Sequence, residues 1–317
     1  MTQSGMRRAE PWLALAGAVA LVAVAWAAPW LRFILTLALA KGIAVLGILL
    51  LLRAGQVSFG HAMYAAIGAY VVAFAAPSMG DVLVLLPLAM LTAGVVGLVI
   101  GLFITRYREI FFSMLNLALS MVLYSLLEKF YAITKGSDGI RVAPLSIAGM
   151  PMDGPMAAWV MFGTALAVAA IFWWVARRYL VSPMGEALSA IKTRETRLEF
   201  MGVSARGVLL VAYVLSALMA GAAGAIIAMT TRHVTPLLAY WTSSGELVFI
   251  AILGGAGGVL GPFLGAVTYE LIRVYAAAAF ADIWQMALGL ALLAVILFAP
   301  GGVWGVIAAL LRRARVS

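Results

Sequence analysis

The sequence predicts an all-α polytopic membrane bundle of about ten crossings, built as two inverted five-helix halves with broken helices near 55–70 and 243–257. Three observations carry this expectation. The 317 residues are 65% apolar and 10% charged, with a mean hydropathy of +1.11, whereas the surface of a water-soluble globule calls for about 25% charge. The charges lie in short clusters between apolar runs, as the positive-inside rule expects of a membrane protein. Two of the runs are interrupted by glycine and polar residues, and broken helices at membrane depth are tolerated only where they line a cavity or bury against protein. The net charge of +9 therefore points to an anionic lipid bilayer as partner and not to nucleic acid. Cysteine is absent, which excludes a disulfide frame, a thiolate metal site and a cysteine nucleophile.

The chain reads as one transmembrane domain over 1–317, with halves of about 1–131 and 157–317. Residues 1–10 form a short polar tail with Arg7 and Arg8, followed by an apolar run over 12–28. Ala25-Trp26-Ala27 resembles a signal-peptidase site, so a cleaved signal stands beside a first span that turns at Pro29-Trp30 into a second, 33–52. Lys41 falls inside that second span, where an ammonium is costly unless it faces protein, water or a carboxylate.

Residues 53–70 mix glycine and polar residues into an apolar run, including Gln56, Ser58, Gly60 and His61. They form the first-half candidate for the substrate pathway. A histidine here reads as readily as a packed core residue, and helix packing or gating suits it better than catalysis. The span 83–104 carries Gly94, Gly97 and Gly101 on one small face, which allows close helix approach. The next, 110–131, holds Asn116, a candidate substrate contact or an inter-helix hydrogen bond.

The interval 132–156 has Asp-Gly and several prolines and reads as turns. A span over 157–176 ends at Arg177 and Arg178. The stretch 177–206 is the longest without an apolar run of span length, gathering six basic and three acidic residues. Ser182 and Pro183 suit the N-cap and first position of a helix, and Gly202 suits its stop. Leu188, Ile191, Leu198 and Met201 give roughly helical apolar spacing, so one or two amphipathic helices are expected against the membrane face. From charge alone the plainer reading is a solvated basic loop.

A small-faced span over 208–229 follows, then an external connection with Pro236 and a glycine-ended apolar segment whose Glu246, Gly254, Gly255 and Gly257 are the second-half candidates for the substrate pathway. His233 has no His, Asp or Glu at ligand spacing, so no metal site is expected. Spans over 264–280 and 283–299, the breaker at Pro300 and an amphipathic piece ending in Arg312, Arg313 and Arg315 complete the chain. With both ends inside, 14 of the 21 basic residues are cytoplasmic. Arg32, Lys129, Lys135, Arg141, Arg232 and Arg273 fall outside.

Three stretches carry a family resemblance. Ser182-Pro183-Met184-Gly185-Glu186-Ala187-Leu188, then Ala190, Ile191, Glu195 and Gly202, followed by 212–226, is similar to the signature of the Liv-type branched-chain amino-acid ABC importer permeases, on their LivM-like branch. Gly55-Gln56, Ser58 and Gly60-His61 resemble the family's Gly-Gln-x-Ser-x-Gly-His motif. Gly254, Gly255, Gly257, Gly261 and Pro262 match its Gly-Gly-x-Gly-x-x-x-Gly-Pro run. This chain departs from the pattern at Glu186 and at Lys192-Thr193-Arg194, where the family more often has an arginine and an Arg-Glu-Asn run.

The resemblance implies that 177–206 is a cytoplasmic coupling loop docking on ATPase subunits through Ser182, Pro183, Gly185, Glu186, Ala187, Ala190, Arg194, Glu195 and Gly202. It also implies two ATPase subunits, a second related permease or a second copy of this chain, a periplasmic substrate-binding protein, and an inner-membrane location. Interval 132–156 could then help receive the binding protein. The cargo is expected to be Leu, Ile or Val, with urea, short amides or other small polar solutes as alternatives.

No Walker-type phosphate loop and no helix-borne metal motif is present. No cofactor is expected, nor catalysis by the chain itself, so the energy comes from a partner or an ion gradient. An ion-coupled secondary transporter is the main rival and needs ionisable residues inside its spans. Lys41, Glu128, Glu246 and Glu270 are its candidates, most of them near expected helix ends. A membrane enzyme lacks any visible pairing of nucleophile and base.

Overall fold

A computed structural model describes residues 3–279, 283–299 and 301–313. Phe280, Pro300 and Arg315, placed above at a span end, a breaker and the basic terminus, lie outside the described residues.

Helix α1 (Gln3–Ala27) runs through the expected polar tail without a break. Pro29 then follows, and α2 (Leu31–Arg53) begins at once, with Leu31 N–H donating to Ala28 at 3.0 Å. An irregular stretch leads to α3 (His61–Met79), and Asp81 caps α4 (Val82–Ile104) by accepting from Leu83 N–H at 2.9 Å. Next come α5 (Glu109–Lys129) and a single turn, α6 (Tyr131–Thr134). The interval read as turns holds a short 3-10 turn and two-residue strands. Ile140–Arg141 pairs antiparallel with His233–Val234.

Helix α7 (Gly154–Val181) leads into α8 (Pro183–Phe200), which occupies the stretch expected to form the coupling loop, and Ser204 caps α9 (Ala205–Thr231) through Gly207 N–H at 3.2 Å. The chain closes with α10 (Trp241–Gly254), α11 (Gly261–Ala279), α12 (Trp284–Phe298) and α13 (Gly302–Arg313). Among the described residues, seven helices (α1 to α5, α7 and α9) are long and apolar enough to cross a membrane. Helices α10, α11 and α12, of 14, 19 and 15 residues, are the elements counted above as the other three crossings.

The loops gather on two opposite faces. One face holds the stretch before α3, the α4–α5 turn, α8 and the glycine run after α10. Its contacts are Arg108 to Glu195, Gln56 to Glu109 and Glu10 to Val259. The other face holds the α3–α4 turn, the interval after α5 and the α9–α10 connection, joined by the bridge of Asp81 to Ser146 and the strand pair above. Since α1 starts on the first face and α7 on the second, the two five-helix runs enter from opposite sides.

Packing follows the same plan. Helices α2 and α9 form the centre; α9 is packed by α3 and α4, and α2 by α10 and α11. Small residues permit this closeness: Gly94 and Gly97 of α4 lie on Leu218 and Ala217, and Gly68 of α3 lies on the backbone of Gly221. A side chain on Gly224 would strike the Ala65 carbonyl. Without a hydrophobic driving force between helices in lipid, such backbone approach is what holds the bundle.

Two expectations are corrected. Arg273, counted outside, lies within α11 and contacts Glu270 at 3.4 Å. Its charge is compensated by carboxylates within the protein, so it has no need to reach the outer surface. Met201, grouped with the buried face of the coupling segment, is 73% exposed. Helix α8 has already ended at Phe200, and the chain turns there through Gly202 at φ +76°.

Candidate functional site

Helix α8 is anchored by its own sequence. The Ser182 hydroxyl accepts from Gly185 N–H at 3.4 Å and donates to the Tyr179 carbonyl at 2.6 Å. Gly185 packs so tightly on the Tyr179–Leu180 backbone that a Cβ would collide there. Leu188, Ile191 and Leu198 are buried, while Pro183, Glu186 and Arg194 are exposed and Ala187 and Ala190 half-buried. Arg194 adopts an extended backbone (φ −156°, ψ 91°), dividing α8 into two pieces. At the far end Phe200 is 91% exposed beside Met201, an apolar tip on a face crowded with charge.

From α8, contacts run inward to the break before α3. The Glu195 carboxylate accepts two hydrogen bonds from Arg108, from Nε at 3.0 Å and from Nη2 at 2.7 Å. Arg108 Nη1 also donates to the Thr105 carbonyl at 2.5 Å, fastening the α4–α5 turn. The next residue, Glu109, starts α5 in the left-handed region (φ 54°), with its N–H donating to Gln56 Oε1 at 2.7 Å. Ser113 Oγ donates to the Val57 carbonyl at 2.6 Å, and the Lys192 stem covers Gly55. Bidentate pairs such as Arg108–Glu195 fix geometry as well as charge.

The break itself alternates. Gln56, Ser58 and Gly60 are buried, with Gly60 against the Asn116 backbone, whereas Gly55, Val57 and Phe59 line a groove of about 650 Å³ between α5 and α10. Gln56, Ser58, Gly60 and His61 of the motif therefore face the bundle, while its first glycine, Gly55, and the intervening Val57 and Phe59 face the open space. His61 is fully buried, edge-on to Tyr64, with neither ring nitrogen hydrogen-bonded among the described residues. The adjacent Ala62 N–H donates to Ser244 Oγ of α10 at 3.1 Å, tying the two interrupted segments together. Asn116 is likewise buried: its Oδ1 accepts from Tyr213 at 2.5 Å, Tyr213 shares a hydrogen bond with Tyr64 at 2.8 Å, and Asn116 Nδ2 donates to the Phe112 carbonyl.

A second polar centre was not visible as a unit in the sequence. Lys41 of α2 binds the carboxylates of Glu246 and Glu270, and Arg273 approaches the same two at 3.9 and 3.4 Å. Two cations and two anions thus meet between α2, α10 and α11, all within helices. The charges balance, Glu270 is almost completely enclosed, and Glu246 and Arg273 remain partly open. Gly254 and Gly255, beyond this cluster, pack on the backbones of Gly261 and Gly301, and Gly257 lies against the Trp304 ring.

The face opposite α8 offers a cleft of about 550 Å³ lined by Arg141, Pro144, Arg232 and His233. Nearby, Tyr131 donates to Asp138 at 2.6 Å, and that carboxylate holds the phenol above its usual range.

Comparison with known proteins fits a helical membrane bundle with these interrupted segments. A family model described as "Branched-chain amino acid transport system / permease component" matches residues 30–312. The chain belongs to that family. Among curated relatives of this permease are the proteins named "High-affinity branched-chain amino acid transport system permease protein LivM" of Escherichia coli K12 and of Salmonella typhimurium LT2. The first is 26% identical over 245 residues, 69% of this chain and 58% of the relative; the second is 26% identical over 241 residues, 69% and 57%. The chain thus spans less than two thirds of the length of these relatives. No solved structure matches it. The family match begins at residue 30, beyond α1.

Proposed function

We propose that this permease is the membrane-spanning subunit of an ATP-driven importer carrying branched-chain amino acids across a bacterial inner membrane, with both termini on the cytoplasmic side. Two ATPase subunits engage α8, a second permease subunit or second copy of this chain completes the passage, and a soluble binding protein delivers cargo to the opposite face. The observation that carries this reading is the continuous tie from the exposed coupling segment through Glu195 and Arg108 to Glu109 and Gln56. A push on α8 would be delivered to the break before α3, which borders the groove between α5 and α10. Charged groups on the exposed side, Glu186 and Arg194, and the apolar tip at Phe200 are what a soluble partner would grip. The cleft with Arg141 and Arg232 suits an acidic binding-protein surface. Relatives named for branched-chain amino acids support the cargo; urea and short amides remain the alternative for a path with few fixed charges.

A second reading, an ion-coupled transporter, is favoured by the Lys41, Glu246, Glu270 and Arg273 cluster, because ionisable residues inside spans commonly serve proton or sodium pathways. One experiment separates the two. Glu186→Arg and Arg194→Glu variants are assayed in cells for labelled leucine uptake and for co-purification of ATPase subunits, beside the purified chain in vesicles under proton and sodium gradients. The importer reading expects loss of uptake and of ATPase association, with no accumulation by the chain alone. Intact uptake in both variants, together with gradient-driven accumulation in vesicles, would replace it with the ion-coupled reading.

A further inference from the structure

Beside the break before α3 lies the groove of about 650 Å³ between α5 and α10, within the ~300–1,000 Å³ usual for small-molecule sites. Its walls are almost wholly apolar, with Val57 and Phe59 of the break joined by Met114 and Leu117 of α5 and by Val248 and Ile252 of α10. A branched aliphatic side chain finds matching surface there. One lining residue carries a charge, the exposed Glu109 at the start of α5. Its backbone stands at φ 54°, with its N–H donating to the Gln56 side chain at 2.7 Å. A non-glycine residue persists in that region only where its surroundings over-determine it, and such positions gather at ligand sites.

A second charge borders the same end. The stem of Lys192, an exposed residue of α8, lies on Gly55, and Gly55 lines the groove next to Gln56. Among the described residues, no hydrogen bond or ion pair engages the Glu109 carboxylate or the Lys192 ammonium, and the two are not paired with each other. The charges beside them are already satisfied, because Arg108 and Glu195 bind one another. An anion and a cation thus flank one end of an apolar groove, each open to a ligand group of opposite sign.

We infer that this groove is a binding site for a free α-amino acid with a branched aliphatic side chain, its ammonium on Glu109, its carboxylate on Lys192 and its side chain along Val57, Phe59 and Val248. The inference rests on the cargo proposed above and adds the place where this chain holds it. It also supplies a means of release. Lys192 precedes Arg194, the extended residue that divides α8, whereas Glu195 follows it and is tied to Arg108, the neighbour of Glu109. Bending α8 at Arg194 therefore changes the separation of the two charges and opens the clamp on the α8 side.

The test titrates the full-length chain, purified in detergent, with L-leucine, with 4-methylpentanoate, which lacks the ammonium, and with 3-methylbutylamine, which lacks the carboxylate. Binding is read by NMR as saturation transfer from protein to ligand methyl groups, with empty micelles subtracted. Leucine is expected to bind about tenfold tighter than either analogue, as suits the loss of one charge-assisted contact. Glu109→Gln keeps the backbone N–H on Gln56, and should weaken leucine and 3-methylbutylamine about tenfold while leaving 4-methylpentanoate unchanged. Lys192→Gln should weaken leucine and 4-methylpentanoate and spare 3-methylbutylamine. Equal binding of the three probes by the parent, leucine binding unchanged in either variant, or an equal loss of all three probes would overturn the proposal. So would leucine binding that is present in the chain alone and lost in the assembled transporter, which would give the groove to a partner's helix. Labelled leucine uptake in cells carrying the assembled transporter separates the two failures. Uptake beside any of those results strikes this site alone, whereas no uptake strikes the cargo reading and the site with it.

Discussion

The bundle is interrupted before α3 and again after α10, and the two interruptions are closed by different chemistry. Before α3 the irregular backbone is held by side chains: Gln56 accepts from Glu109, Ser113 donates to Val57, and Arg108 reaches out to Glu195 on the coupling segment. After α10 it is held by backbone on backbone, with Gly254 and Gly255 so near Gly261 and Gly301 that no side chain fits. Side-chain hydrogen bonds of this kind can exchange partners at a net cost of about 1 kcal/mol each. Glycine-on-glycine packing has one arrangement. The difference assigns movement to the first interruption and rigidity to the second, and the Lys41 cluster strengthens the rigid side by joining α2, α10 and α11.

The largest expected effect lies on the rigid side. Gly255→Ala places a Cβ against the Gly301 carbonyl at φ +85°, and should cost about 2–5 kcal/mol from backbone strain and overpacking together. A thermal unfolding midpoint equal to the parent's would break the comparison there. Next, Lys41→Met leaves the enclosed Glu270 beside Glu246 with Arg273 alone, for a loss of about 3 kcal/mol. Adding Glu270→Gln should recover most of it, whereas the single variant unfolding with the parent would remove the cluster from the rigid side. Gln56→Leu should cost only about 1 kcal/mol yet depress uptake in the assembled transporter, since it frees Glu109 from the break. Equal losses in stability and uptake would erase the distinction. Ser182→Ala should be mildest, about 0.5–1 kcal/mol for a lost cap, seen as faster proteolysis near 182–204 with the rest of the chain intact.

Much of the architecture was readable in advance because lipid imposes long apolar runs. The spans, the small faces of α4 and α9 and both glycine interruptions follow from local pattern, and so does the N-cap at Ser182. The pairings did not follow. Lys41 and Glu246 are 205 positions apart, and Arg108 and Glu195 are 87 apart; no local period links them. One signal was applied to Lys41 and not to Arg273: each stands inside an apolar helix, as Glu270 does, and buried charge demands compensation. That rule, applied before counting charges by side, would have kept Arg273 within the bundle. Around Gln56, Ser58 and His61 the motif marked the right stretch but not which side of it faces open space, because the alternation of an irregular backbone is set by what packs on it.

The most direct measurement is a charge swap across the tie from α8 to the α4–α5 turn, read as substrate uptake and coupled ATP hydrolysis in the assembled transporter. Arg108→Glu and Glu195→Arg should each depress uptake about tenfold or more, as expected when a hydrogen-bonded charge pair loses one partner, and the double swap should restore most of it. Single variants that transport as well as the parent, or a double swap as inactive as either single, would contradict the claim that the coupling segment works the break before α3 through this pair.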